Sequence, residues 1–290
     1  MFVFYLHDET SVTEFENKLR WFISKYHLIS YQELQECVYK KNVIRNACHL
    51  TIDDGWKSTY NVIFPVLKKY NVPFTIFVSP KVTKDHVNFW YKNLSELDEY
   101  SFLRFLINEK GFSSKLATFP AELIMKEMKA KDIYELLGEY RSIYKIKEST
   151  DGFLNTDELI EISESGLAEI GAHTMTHPIL KNEDESTVYH ELSQSIKELE
   201  EIIGRKVSTF AYPNGLRNLD FTQREEKIVS SLGLKTAFSV NPGYINSQSN
   251  PFALPRIGSI KRLSLGRLGV YLPSMSRQES IRKEIRQLIK

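Results

Sequence analysis

An α/β fold built from repeated βα units is predicted by three features of this 290-residue sequence. Short strand-like runs alternate with capped, amphipathic helical patterns along most of the chain. Several of those runs end in reactive residues, and in parallel sheets or barrels the carboxyl ends of the strands share one face. Hydrophobic residues at 42% and charged residues at 26% are globular values, and the length can bury one large core, so a single domain over 1–290 is expected.

Taken in order, Phe2–Leu6 predicts a strand. Ser11 and Glu14 have capping-box spacing ahead of Phe15, Leu19, Phe22, Ile23 and Tyr26, which share one helical face. After the short apolar pair Leu28–Ile29, Ser30 with Glu33 opens a second capped helix. His49–Ile52 predicts a strand that delivers Asp53 and Asp54 at its end. A helical stretch over Tyr60–Tyr70 contains Pro65, which lacks a backbone donor, so a kink or restart is expected there. Phe74–Val78 predicts the next strand.

From Asp85 to Lys147 the β pattern lapses into polar helical sequence, read as an insertion of 85–147. The βα rhythm returns with Asn155 and Glu158 as a capping pair, then the strand in "LAEIGAHTMTHP". Leu192, Ile196, Leu199 and Ile203 repeat at helical spacing and Gly204 closes that helix. The strand of "VSTFAYPNG", a helix near Thr222–Leu232 and the strand "KTAFSV" follow.

Composition narrows the function classes. A formal charge of +1 argues against a nucleic-acid partner. The end of the chain is locally basic, with nine Lys or Arg against two Glu from Arg256 to Lys290, and 261–290 is read as a basic extension. Within it, Ile281, Ile285 and Leu288 share a helical face; either a peripheral contact with an anionic membrane or a docked terminal helix would account for them. Cys37 and Cys48 are too few for a disulfide framework and lack CxxC spacing. The opening residues have no signal-peptide pattern and no apolar run is long enough to span a bilayer, so a cytoplasmic location is expected.

Chemistry concentrates where strands end. His173 and His177, four apart in "HTMTH", can reach one ion, and Thr174 excludes the HExxH helix. Pro178 disfavours helical geometry at His177, so a strand-to-loop turn is expected. A carboxylate from another strand would complete a three-ligand catalytic site. Taken alone, Asp53–Asp54–Gly55 also fits an ordinary turn, and an HxxxH pair an ordinary surface or core pair.

Together, "TIDDG" and "HTMTH" resemble the T-F-D-D-G and H-[ST]-x-x-H motifs of the polysaccharide deacetylases, the carbohydrate esterase family 4 or NodB-homology group. "NVPFTIFV", "GLAEIGAHTMTHPIL" and "FAYPNG" extend the resemblance over roughly Phe2–Ile257. It implies a distorted (β/α)7 barrel with the insertion between the two metal motifs. It also implies that Asp54, His173 and His177 hold one divalent ion, zinc first, with cobalt, nickel or iron compatible with the same donors. Asp53 would be the general base, and the backbone N–H of Asn214 would support the oxyanion.

Two departures from the family pattern are visible. Ala211 stands where the third motif carries an arginine that orients the catalytic aspartate, and Arg256 in "LPRI" is the candidate substitute, weighed against a surface arginine. The C-terminal leucine-histidine motif has its likeness at the other end, in "VFYLHDE", as in circularly permuted members resembling the exopolysaccharide deacetylases; His7 is therefore assigned as general acid. Trp56, Trp90 and Tyr212 are candidates for stacking on a sugar, with core packing as the competing reading. The expected reaction is hydrolysis of the N-acetyl group of an amino sugar in a polysaccharide or glycan precursor. A deformylase or other non-sugar amidohydrolase, and a catalytically silent glycan-binding module, remain open at this point.

Overall fold

The computed structural model describes residues 1–40, 44–258 and 275–289. They divide into two compact units, one holding the described residues of 1–87 and 150–259, the other those of 88–149 and 260–290.

The first unit is a parallel barrel. Its strands are β1 (Phe2–Leu6), β2 (His27–Leu28), β3 (Ala47–Ile52), β4 (Phe74–Val78), β5 (Ala168–Ala172), β6 (Thr209–Ala211), β7 (Thr236–Phe238) and β8 (Ile257–Gly258). They run in the order β7-β6-β5-β4-β3-β1-β8, all pairs parallel, with β2 paired only to β3. The segment leading into β8 closes the ring: on one side the Leu254 N–H donates to the Ala237 carbonyl of β7 and the Leu254 carbonyl accepts from the Ser239 N–H, and on the other Ile257 and Gly258 pair with Phe4 and Tyr5. This is the distorted seven-stranded α/β barrel expected from the sequence.

Alternation by two sorts the side chains. Phe4, Leu6, Leu50, Ile52, Phe74, Ile76, Ile170 and Phe210 form one apolar layer with the surrounding helices. Val3, Phe77, Ala211 and Phe238 form another cluster from the opposite face of the same strands. Polar residues share that inner face in bonded pairs: His49 with Thr75 at 2.8 Å and Thr209 with Thr236 at 2.9 Å. Gly171 belongs there because a Cβ would come within 2.4 Å of the Phe77 ring.

Helix signals act where the sequence puts them. Ser11 caps Val12–Lys25, and Ser30 and Asn155 form complete capping boxes with Glu33 and Glu158. Gly204 ends Glu185–Ile203 in the left-handed conformation. At Pro65 the chain restarts: a π-helical turn over Thr59–Ile63 passes into an α-helix over Phe64–Lys69 with the proline in its first turn.

The second unit is helical. Trp90, Phe102, Phe105, Ile124, Met125, Ile133, Leu137 and Tyr140 form its core, and the Met275–Ile289 helix contributes Ile285, with Ile281 and Leu288 packed alongside. That apolar face packs against the unit's own core, as in the docked arrangement. Arg282 and Arg286 of this helix both bond to the Glu127 carboxylate. Residues 261–274 of the expected basic extension lie outside the described residues. Among the described residues no helix is long and apolar enough to cross a membrane.

Candidate metal centre and active site

Strand register brings the reactive turns to one rim. Leu6 pairs with Ile52, Val78 with Ala172, Ala172 with Phe210, and Ala211 with Phe238. The residues that follow, His7, Asp53, Ser79, His173, Tyr212 and Ser239, therefore leave the barrel at the same end. Three ladders run one bond further, Asp53 N–H to the Leu6 carbonyl at 3.1 Å, His173 N–H to that of Val78 at 3.2 Å and Tyr212 N–H to that of Phe238 at 3.1 Å.

Nine non-glycine residues among those described have positive φ, and Asp54, Thr174, His177 and Asn214 are four of them. Each such conformation costs about 1–2 kcal/mol for an L-residue, and Thr174 is β-branched, so strain gathers at this rim. The turn after β3 is left-handed at both Asp54 and Gly55. Consequently the adjacent carboxylates go to separate partners.

Asp54 faces the histidines. Its Oδ1 lies 3.3 Å from His173 Nε2 and 3.5 Å from His177 Nε2, and its Oδ2 accepts from the Trp56 indole N–H at 3.0 Å. The opposite nitrogen of His173 lies 2.7 Å from the Ala211 carbonyl oxygen. A carbonyl only accepts, so Nδ1 carries the proton and Nε2 keeps its lone pair. A four-coordinate ion about 2.0–2.1 Å from its ligands separates them by roughly 3.3 Å, close to the two distances from Oδ1. All three ligand atoms lie within 4.8 Å of one another, and all three residues are buried. The donor set and spacing fit a divalent metal, and the fourth position is left to water or substrate. Burial pushes the Asp54 carboxyl up, but with no ion between them His173, His177 and His7 in their protonated forms outweigh it, through a hydrogen bond from His173 and their charges, holding the group well below the usual carboxylate range.

Asp53 faces Arg256. The guanidinium donates to Oδ1 at 2.7 Å and Oδ2 at 2.8 Å, a bidentate clasp, and also to Thr51 Oγ1 at 3.1 Å and the Ser239 carbonyl at 3.0 Å. Arg256 is 0% exposed, beneath the rings of Tyr5, Phe77 and Phe238 at 5.0, 5.6 and 5.9 Å. The alternative of a surface arginine is thus excluded. Burial raises the Asp53 pKa, while Arg256, followed by His173 and His7, lowers it further, so the net shift is downward.

The remaining sequence candidates divide. His7 sits half-exposed at the rim with Nε2 4.0 Å from Asp54 Oδ2. The Asn214 amide N–H makes no hydrogen bond among the described residues, and its side-chain Nδ2 is buried without a partner. Trp56 stacks on Phe153 at 4.6 Å, so one ring face is already covered while its N–H steadies Asp54. Two stacking candidates are corrected. Trp90 is 0% exposed within the second unit's core, and Tyr212 is 1% exposed, stacked on Phe221 at 3.6 Å with its hydroxyl bonded to the Phe252 carbonyl. Neither ring has a face to offer a sugar.

Sequence reasoning missed Glu191, whose carboxylate binds the backbone between the two histidines. The available signal was a charged residue on the buried face of a helix, beside Val188, Leu192 and Leu199. It also missed Ser79, whose hydroxyl donates to the Met175 carbonyl at 2.6 Å.

Comparison with known proteins agrees with this geometry. The family model described as polysaccharide deacetylase matches residues 40–237, which include Asp53, Asp54, His173, His177 and Asn214 but neither His7 nor Arg256. The poly-beta-1,6-N-acetyl-D-glucosamine N-deacetylase of Staphylococcus aureus is 24% identical over 250 residues, covering 85% of this chain. The chain spans 66% of that relative's length. Among solved structures, IcaB from Ammonifex degensii aligns with a TM-score of 0.58 at 17% identity, covering 98% of this chain and 96% of that one. The Streptococcus pyogenes deacetylase PplD, solved with acetate, aligns at 0.58 and 17% identity, covering 100% and 96%. At these identities the structural likeness speaks for the shared barrel.

Proposed function

Because this chain belongs to the polysaccharide deacetylase family, we propose that it is a metal-dependent hydrolase that removes acetyl groups from N-acetylated amino sugars in a polysaccharide or glycan precursor. The observation that carries this reading is the pairing of a buried Asp54–His173–His177 ligand set with a neighbouring carboxylate, Asp53, held by Arg256. A glycan-binding module would have no use for the second, separately oriented carboxylate.

A divalent ion in this site, with zinc the expected occupant, would polarise an amide carbonyl and make water acidic enough to act as nucleophile near neutral pH. The chain's own residues supply the rest. Asp53, ionised and clasped by Arg256, takes a proton from the attacking water. The water oxygen bonds to the carbonyl carbon, and the Asn214 N–H donates to the carbonyl oxygen as its charge grows. His7 then gives a proton to the sugar nitrogen as the C–N bond breaks, so acetate and a free amine leave. Solvent access at His7 suits a group that must be reprotonated each turnover.

The test is acetate release from oligomers of β-1,6-linked N-acetylglucosamine, and from a panel of other N-acetyl sugars, with added Zn²⁺ or Co²⁺. Wild type should release acetate, and Asp53→Asn should lose roughly 10²–10⁴-fold in turnover while still taking up metal. Absence of release from every sugar and with either metal would favour the binding module.

A further inference from the structure

Glu191 occupies a place that packing does not explain. It lies on the inner face of the Glu185–Ile203 helix, flanked by buried Val188, Leu192 and Leu199, and is only 7% exposed. Its Oε2 accepts from the consecutive amides of Met175 and Thr176 at 2.8 and 2.9 Å, and its Oε1 accepts from the Thr176 hydroxyl at 2.7 Å. All three donors belong to the short span between His173 and His177.

That span is strained, with Thr174 and His177 both left-handed. Its other ties include the Ser79 hydroxyl on the Met175 carbonyl and the His177 amide on Thr174 Oγ1 at 3.1 Å. Two successive N–H groups aimed at one oxygen fix the orientation of both peptide planes. The direction in which His177 leaves the loop follows from those planes.

We propose that Glu191 is a positioning residue for the metal centre: its carboxylate holds the 174–176 backbone in the strained form that lets His173 Nε2 and His177 Nε2 converge on one ion. It touches neither substrate nor metal and acts through the loop. This rests on the reading of Asp54, His173 and His177 as a metal site, and no step of the reaction depends on it.

The experiment is a Co²⁺ titration of metal-free full-length protein, followed by the visible cobalt absorption, with melting curves of the same samples. The variants are Glu191→Ala, Glu191→Asp and Glu191→Gln. Glutamine can keep an oxygen on both amides and turn its NH2 toward the Thr176 hydroxyl, so Glu191→Gln should stay within about 5-fold of wild-type affinity. Glu191→Ala should bind Co²⁺ roughly 10–100-fold more weakly, with an altered absorption band. If that variant fails to fold, Glu191→Asp decides, because a carboxylate too short to hold both amides should leave the protein binding cobalt more weakly than Glu191→Gln does. A glutamate that merely stabilised the helix would lower melting temperatures without changing affinity or band. Unchanged cobalt binding in Glu191→Ala, or equal binding by Glu191→Asp and Glu191→Gln, overturns the inference while the metal site stands. Failure of wild type to bind cobalt overturns both.

Discussion

Replacing Arg256 by methionine tests most directly the arrangement of Asp53, the proposed general base. Methionine is long and polarisable, so it can fill the space beneath Tyr5, Phe77 and Phe238 and keep the cavity contribution small. What remains is the loss of four hydrogen bonds, two of them to Asp53, which is 3% exposed. Removing one partner of a buried ion pair costs about 3–5 kcal/mol. For a unit of this size that corresponds to a fall in melting temperature of roughly 6–20 °C.

The same change has a signed effect on pH dependence. In wild type, burial raises the Asp53 pKa, and Arg256, followed by His173 and His7, more than reverses it, so the folded value lies below the 3.8 of a free aspartate. The pair's contribution is fully present above that pH and disappears as pH falls through the folded value. Without Arg256 the strongest influence opposing burial is lost, so the acid limb of kcat/KM should move to higher pH. The stability gap between wild type and variant should narrow in acid, where the orphaned carboxylate can take a proton. Turnover should drop about 10²-fold from misorientation of the base, and Arg256→Lys, which keeps charge but not the fork, should fall between. The assay is acetate release across pH with metal content measured in parallel. Metal-loaded Arg256→Met with an unmoved acid limb and a rate within 3-fold of wild type would refute the orienting role.

Two further outcomes follow from the same structure. His7→Ala should reduce turnover by roughly 10²–10⁴-fold with bound metal unchanged by elemental analysis; loss of metal would make His7 a ligand instead of an acid. His49 is fully buried between the Ile29 carbonyl and Thr75, and burial lowers its pKa from 6.5 to about 4 despite the bond to Ile29. The unfolded chain therefore binds a proton in that window that the folded one does not, and about 3 kcal/mol of stability should be lost as pH falls from 6.5 to 4. Urea unfolding at several pH values, compared with His49→Phe, measures this; matching slopes for the two proteins would refute it.

Much of the architecture was legible because its causes are local. Caps at Ser11, Ser30 and Asn155, the stop at Gly204 and the restart at Pro65 act over one helical turn, and each lies where the sequence indicates. The rim motifs were legible for a related reason: a strand's last residues point toward whatever that rim holds. Aromatic residues were read less well, since a ring that could stack on a sugar and a ring that fills a core have the same composition. Trp90 and Tyr212 differ from that expectation only through their neighbours.

Alone, the sequence determined the order of strands and helices, the metal motifs and the chemistry those side chains can perform, because each depends on residues within a few positions. Tertiary structure decided which partners they meet. Arg256 reaches Asp53 across 203 residues only because the ring closes between β7 and β1, and Glu191 reaches the histidine loop only because its helix packs beneath that rim. Contacts of that kind depend on where the whole backbone goes, and the local pattern around either residue contains no record of it.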